Sequence, residues 1–253
     1  MLIVIPVSEA DANLIDDFAK VVRFFGPYNK KHELLVVSRP ADALHGAKLL
    51  TRLSGLFNKE SIYFFEKDGL TGWPLGPNHY WAETIRHLQY ERKNKLPWLW
   101  MELDMTPLKH GWIDALEREY KNCGKPFLGV LQNTTTVTHD GIVIPIAKHL
   151  VGAAIYPPDI DPYCNIWKYV PKIATAFDVL CEYDLVPHSH HTPLIQHNFR
   201  TQKYRYCPLS DCIRGEDHNN FPSGLRFDKP VDPKAVLLHG CDDGSLAKLL
   251  VQK

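Results

Sequence analysis

The stretch PWLWMELDMTPLKHGWID, residues 97–114, sets a dense apolar run, Trp98-Leu99-Trp100-Met101, directly against Glu102, Asp104 and Thr106. An apolar run of this length between turn formers predicts a buried strand. Side chains alternate between the two faces of a strand, so Glu102 and Asp104, two residues apart, are expected to leave the strand's end in one direction. Two carboxylates confined to one small volume repel and raise each other's pKa unless a cation lies between them. A hard divalent ion, Mg²⁺ or Mn²⁺, suits such a pair because carboxylate, water and phosphate oxygens complete its octahedron. Acidic-x-acidic triplets also arise by chance, so the surrounding chain decides.

Working outward, a strand is predicted at Leu2–Val7, another at Glu33–Ser38, and the triplet follows a third or fourth strand near residue 100. This order resembles the GT-A glycosyltransferase fold, in which an Asp-x-Asp triplet, sometimes with Glu first, carries the metal of a nucleotide-sugar. The matching residues here are Glu102-Leu103-Asp104. The resemblance implies an α/β chain: one GT-A-like domain over residues 1–253, a Rossmann-like mixed sheet flanked by helices. Residues 1–106 would bind the nucleotide-sugar and residues 107–253 the acceptor.

The totals agree with one large α/β domain: 253 residues, 45% hydrophobic and 11% aromatic, suffice for a sizeable core. The 29 basic and 29 acidic residues balance, so no global field draws in a polyanion and any nucleic-acid site must be a local patch. The opening MLIVIPV is short, lacks a basic leader and is followed by acidic residues, which predicts a first strand and not a signal peptide. No apolar run approaches the roughly 20 residues that span a bilayer; a cytoplasmic protein with no membrane partner is expected. Six cysteines, at 123, 164, 181, 207, 212 and 241, show no paired framework and predict free thiols. The step from Cys207 to Cys212 is wider than the usual zinc knuckle, with His218 beyond it.

Apolar spacing predicts helices over 11–25 and 43–55, alternating with the first two strands. A parallel sheet built this way binds ligands beyond the carboxyl ends of its strands. In the resembled fold the loops at 6–9 and 38–42 hold base and ribose, which nominates Pro6, Val7, Arg39 and Asp42. The same residues are also ordinary turn formers. A strand over 61–66 is followed by a loop over 69–78 with three glycines and two prolines, then a helix over 79–93. Glycines permit close backbone approach and a helix start offers free N–H groups. The resemblance places donor sugar and ribose contacts there, at Gly76 and Asn78; a long surface turn is the alternative.

After a helix over 111–122, strands are predicted over 125–131, 142–146 and 152–156, and a helix over 166–183. Asp178, Glu182 and Asp184 lie towards that helix's end. Asp178 is the candidate general base for an inverting transfer, because it sits among Ala176, Phe177, Val179 and Leu180; a helix-surface charge is the plainer reading. His188-Ser189-His190-His191, flanked by Pro187 and Pro193, reads as a loop and not as a metal site. In LIQHNFRTQKYRYCPL, residues 194–209, Arg200, Lys203 and Arg205 interleave with Phe199, Tyr204 and Tyr206. That combination offers phosphate-neutralising cations and stacking faces, or else an amphipathic strand. Residues 210–230 read as a polar loop able to close over a bound donor.

The chain ends on a strand terminating in His239-Gly240, an acidic turn and Lys248. Many metal-dependent GT-A enzymes, glycogenin-like retaining ones among them, bring a C-terminal His to the same ion and a nearby Lys to the diphosphate. His239 matches the first role and Lys248 the second, although the spacing departs from His-x-x-Gly-x-x-Lys. The resemblance therefore implies a nucleotide-diphosphate-sugar donor, a UDP-sugar foremost, held with Mn²⁺ or Mg²⁺ by Asp104, by Glu102 directly or through water, and by His239. ELDMTPL and LIQHNFRT are also similar to bacteriophage-type enzymes that glycosylate hydroxymethylated pyrimidines in DNA, which would turn Arg200, Lys203, Tyr204 and Arg205 towards DNA. A protein or glycan acceptor, a nucleotidyltransferase and a non-enzymatic nucleotide-sugar-binding module are the alternatives. A nucleotidyltransferase is disfavoured because Pro6-Val7-Ser8-Glu9 is not a Gly-rich, basic loop.

Overall fold

The computed structural model describes residues 1–28, 30–67, 71–72, 75–133, 135–139, 142–166, 176–197 and 231–240, with backbone alone for 135–139 and 142–146. Strands β1 (Leu2–Val7), β2 (Glu33–Ser38) and β3 (Lys59–Phe64) lie parallel, joined by helices α1 (Ile15–Phe24) and α2 (Ala43–Leu53). Helix α1 buries Ile15, Phe18, Ala19, Val21 and Val22, the three- and four-residue spacing that puts one stripe on the sheet. Helix α3 (Leu75–Arg86) leads to β4 (Trp98–Trp100), which pairs parallel with β1 on the side away from β2. A two-residue strand β5 (Thr106–Pro107), helix α4 (Trp112–Asn122), β6 (Phe127–Gly129) and β7 (Leu131–Gln132) follow.

An antiparallel hairpin, β8 (Thr135–His139) and β9 (Ile142–Ile146), is followed by β10 (His149–Leu150), β11 (Ile155–Tyr156), β12 (Ser189–His191), β13 (Ile195–His197) and β14 (Leu237–His239). Among the described residues the central sheet has seven strands in the order β12-β6-β11-β4-β1-β2-β3, with β11 antiparallel to both neighbours. A separate three-stranded sheet, β13-β14-β5, joins the end of the chain to the residues just after β4.

Strand alternation divides the core. Ile3, Ile5, Val7, Leu99 and Met101 face α1, α2 and α4, while Leu2, Val4, Trp98 and Trp100 face α3 and the later segments. Trp98 stacks on Tyr156 with ring centroids 4.5 Å apart, and its indole N–H donates to Pro157 O at 2.9 Å. Burying such rings contributes on the order of 1.5–3 kcal/mol each, and the satisfied N–H avoids an offsetting penalty.

Some predicted elements differ. The helix expected over 79–93 begins at Leu75, because Pro77 is tolerated in a first turn whose N–H groups have no helical partner; its end passes into a π turn, His87–Glu91. The single helix expected over 166–183 is two short ones, Phe177–Leu180 and Glu182–Leu185, after an extended Ala176; residues 167–175 lie outside the described ones. The loop expected at 188–191 is edge strand β12, whose exposed His190 and His191 pair by backbone with Leu128 and Gly129. The triplet follows β4, as expected.

Beneath α4, the Met1 ammonium lies 3.2 Å from Glu117 Oε1 and Lys31 Nζ 2.9 Å from Oε2. Burial pushes the Glu117 carboxyl up, but these cations outweigh it and hold it at about 2. Because the folded value lies below the unfolded one, this stability is present above pH ~4.5 and lost as pH falls towards ~2. Allowing for solvent screening at half-exposed Lys31, the contribution is about 2 kcal/mol. Urea denaturation at pH 7 and pH 3 should show it, and Glu117→Gln should make the difference smaller, with Asp16, Glu91 and Asp114, also held low, supplying the rest.

Candidate active site

The Glu102-Leu103-Asp104 triplet is assembled by a turn. Met101 N–H donates to Val4 O at 2.9 Å, closing the ladder with β1; the chain then folds back so that Met105 N–H donates to Glu102 O at 3.0 Å. Leu103, 6% exposed, points into the core between the two acids. This tight turn, and not strand alternation, sends Glu102 and Asp104 to one side. Thr106 then pairs with Leu238, which delivers the last residue of β14, His239, to the same spot. Gly240 follows with φ +97°, a left-handed conformation that favours glycine and lets the chain leave sharply after the imidazole.

His239 Nε2 lies 3.3 Å from Glu102 Oε2 and 3.6 Å from Asp104 Oδ1. One ligand atom from each of the three falls within 4.8 Å of the others. Trp100 Nε1 donates to the other Glu102 oxygen at 3.1 Å, and His197 Nδ1 sits 2.9 Å from His239 Nδ1. Indole and second imidazole thus orient the Glu102 and His239 side chains from behind. Two carboxylates and one imidazole around a shared point fit a divalent ion such as Mn²⁺ or Mg²⁺. The second grouping of this kind among the described residues, His32, Asp114 and Glu117, does not fit: Lys31 and the Met1 ammonium already bind its carboxylates.

Burial pulls the His239 imidazole down, but the charges of Asp104 and Glu102 outweigh it and bring it to about 9. A metal binding at Nε2 must displace that proton. Metal affinity is therefore expected to rise about tenfold per pH unit from pH 6 towards 9 and then level off, measured by Mn²⁺ titration calorimetry; a flat profile would show that His239 is not a ligand.

A cavity of about 650 Å³ opens beside this cluster at the carboxyl ends of β1, β2 and β4. Pro6, Arg39 and Gly76 line it together with Glu102 and Asp104. Val7, Asp42 and Asn78 are buried, at 0%, 2% and 4% exposure, and are not among its lining residues. Asp42 instead forms a clasp: it accepts from Glu9 N at 2.9 Å and Arg39 Nε at 2.7 Å, with Tyr80 OH 2.8 Å away. Tyr80 OH is also 2.8 Å from Val7 O. The clasp locks the loops after β1 and β2 to α3 and so fixes the Arg39 guanidinium at the cavity.

Ser8, Asp11 and Tyr80 line the cavity as well and were missed in the sequence. Ser8 Oγ donates to Asp11 Oδ2 at 2.6 Å, and burial, aided by the nearby Glu102 charge, raises the Asp11 carboxyl. The Ser-x-x-Asp spacing just past β1 was the available signal. Asp178 lies outside the cavity lining; Gly152 N–H donates to its Oδ2 at 3.1 Å and Val179 N–H to its Oδ1 at 2.9 Å. Burial raises it, and its charge is felt at His239. Gly152 packs so tightly on Phe177 that a Cβ there would meet the ring at 2.7 Å. Lys248, Arg200, Lys203, Tyr204 and Arg205, the 210–230 loop and Cys207 and Cys212 lie outside the described residues.

No protein-family model matches the chain, and no curated protein matches it in sequence. The architecture is that of GT-A-type glycosyltransferases: the central sheet, its flanking helices and their order recur in solved enzymes of that class. The galactosyltransferase LgtC, crystallised with donor and acceptor sugar analogues, is similar over 95% of this chain and 87% of that one, with TM-score 0.53 and 13% identity. An active-site mutant of LgtC gives TM-score 0.51 at 12% identity over the same shares. The WbbM bifunctional glycosyltransferase gives TM-score 0.55 at 10% identity, covering 94% of this chain and 45% of that one. At such identities the likeness establishes the fold. Among the described residues no helix is long and apolar enough to cross a membrane.

Proposed function

We propose that this protein is a metal-dependent glycosyltransferase that moves a sugar from a nucleotide-diphosphate-sugar to an acceptor hydroxyl. The observation that carries this reading is the convergence of Glu102, Asp104 and His239 beside a cavity of about 650 Å³ that Glu102 and Asp104 line, in a fold shared with sugar-transferring enzymes. Asp104 and His239 would hold the ion, with Glu102 bound directly or through water under the Trp100 indole. When bound there, Mn²⁺ or Mg²⁺ offsets diphosphate charge as the nucleoside diphosphate leaves. Pro6, Arg39 and Gly76, backed by Val7, Asp42 and Asn78, shape the base and ribose pocket; a UDP-sugar is the first donor to try. Lys248 is assigned to the diphosphate.

Asp178 is kept as the candidate general base: burial raises its carboxyl above the ordinary carboxylate value, and to serve it must be reached by the acceptor hydroxyl from outside the donor cavity, which it does not line. Residues 1–106 supply most of the donor cavity, and the later half would receive the acceptor. Two acceptors suit the step, a hydroxymethylated pyrimidine in DNA, read from Arg200, Lys203, Tyr204 and Arg205, and a glycan hydroxyl. The donor reading is tested by Mn²⁺-dependent release of nucleoside diphosphate across UDP-, GDP- and dTDP-sugars. Release from one donor is expected; silence with every donor and metal would contradict it.

A further inference from the structure

The two oxygens of Glu102 face different neighbours. Oε1 accepts the Trp100 indole N–H at 3.1 Å, while Oε2 lies 3.3 Å from His239 Nε2. The indole itself is held from several sides. Trp100 is 1% exposed, its backbone N–H donates to Ala154 O at 3.0 Å, and its ring meets Trp98 and Phe177 edge-on, with centroids 6.3 and 6.4 Å away. Phe177 in turn stacks on Trp81 at 4.4 Å. A donor fixed in a packed core does not follow a carboxylate that swings, so the carboxylate takes the orientation that the indole sets.

We infer that Trp100 is a specificity determinant for the metal ion: it restricts Glu102 to one oxygen, Oε2, towards the ion, directly or through a water, and so favours Mn²⁺ or Mg²⁺ over Ca²⁺. This rests on the metal site proposed above. Mg²⁺ and Mn²⁺ build a compact octahedron in which single carboxylate oxygens, waters and phosphate oxygens suffice. Ca²⁺ gathers about six to eight oxygens at longer distance, and bidentate carboxylates help it reach that number. Turning Glu102 to chelate with both oxygens would draw Oε1 off the indole. A buried N–H would then be left without its acceptor, a cost that coordination through Oε2 alone avoids. The same hydrogen bond that costs Mn²⁺ nothing therefore works against Ca²⁺.

The test is titration calorimetry of the full chain with Mn²⁺ and with Ca²⁺, at one UDP concentration throughout, beside a thermal melt. Trp100→Phe keeps an aromatic ring against Phe177 and removes the N–H. Trp98→Phe is the control: it deletes an indole from the same core, one whose N–H goes to Pro157 O and not to the cluster. The wild type should bind Mn²⁺ more tightly than Ca²⁺. Trp100→Phe should lower that preference about tenfold or more, because Mn²⁺ loses an oriented ligand and Ca²⁺ gains a second oxygen, while Trp98→Phe leaves it within about twofold. Equal weakening of both ions in Trp100→Phe, the same shift in Trp98→Phe, or a wild-type preference for Ca²⁺ would overturn the inference. Should Trp100→Phe not fold, crystals of the wild type with Mn²⁺ decide. Oε1 is expected to stay on the indole with Oε2 alone towards the ion; both oxygens equidistant from it would overturn the inference. No Mn²⁺ binding by the wild type is a separate failure, that of the metal site itself.

Discussion

Asp104→Ala should lower metal-dependent binding of the nucleotide-sugar by on the order of 10²-fold or more while leaving the fold intact. Asp104 is 16% exposed at the side chain and contributes one of two carboxylates to the three-ligand cluster. Outer-shell partners of metal ligands typically cost 10–100-fold when removed, so loss of a ligand sets that range as a lower bound. Stability is protected for three reasons. The turn is held by Met101 N–H to Val4 O and Met105 N–H to Glu102 O, and neither bond uses the Asp104 side chain. Leu103 keeps its place in the core. Removing one of two neighbouring acids also relieves repulsion, which offsets the lost attraction to the His239 imidazolium. Calorimetry with and without Mn²⁺, beside a thermal melt, separates the two effects. Unchanged metal-dependent affinity in a folded variant would remove the site assignment.

Asp178→Asn should lower turnover by about 10²–10⁴, the usual range for loss of a general acid or base, with donor affinity changed only a few-fold. The amide oxygen can still accept the N–H of Gly152, so the tight packing of Gly152 on Phe177 is kept, while the amide NH2 faces the Val179 N–H and that bond is lost. What disappears is a buried, ionisable carboxyl whose charge reaches both Glu102 and His239. The rate profile of the wild type should fall on the acid side as Asp178 protonates, at a pH above that of an ordinary carboxylate, and the variant should lose that limb. Full activity in Asp178→Asn would confine Asp178 to holding the loop at Gly152. Asp178→Ala, which abandons both backbone N–H groups, would then still destabilise the protein.

The strands were legible where side-chain alternation is strict and both faces are buried. Leu2–Val7 and Glu33–Ser38 form over the predicted residues, and α4 begins within one residue of expectation, after Gly111 at φ +70°. That Glu102, Asp104 and His239 belong together was legible from residue type, since Glu102-x-Asp104 and a late His-Gly are unusual where they stand. How they meet was not, because it depends on a two-residue strand, Thr106–Pro107, pairing with Leu237–His239 across about half the chain, and pairs of that length leave no period to read. Asp42 was chosen as a ligand-facing residue, yet its neighbours Arg39, Glu9 and Tyr80 use it internally, a tertiary fact that turn propensity does not encode.

The most direct measurement is anomalous diffraction at the manganese edge from crystals grown with Mn²⁺ and UDP. The site described here predicts one strong peak bonded to Asp104 and to His239 Nε2, with Glu102 bonded or one water away and diphosphate oxygens completing the shell. A peak elsewhere, or a diphosphate in the cavity with no manganese between Glu102, Asp104 and His239, would contradict it.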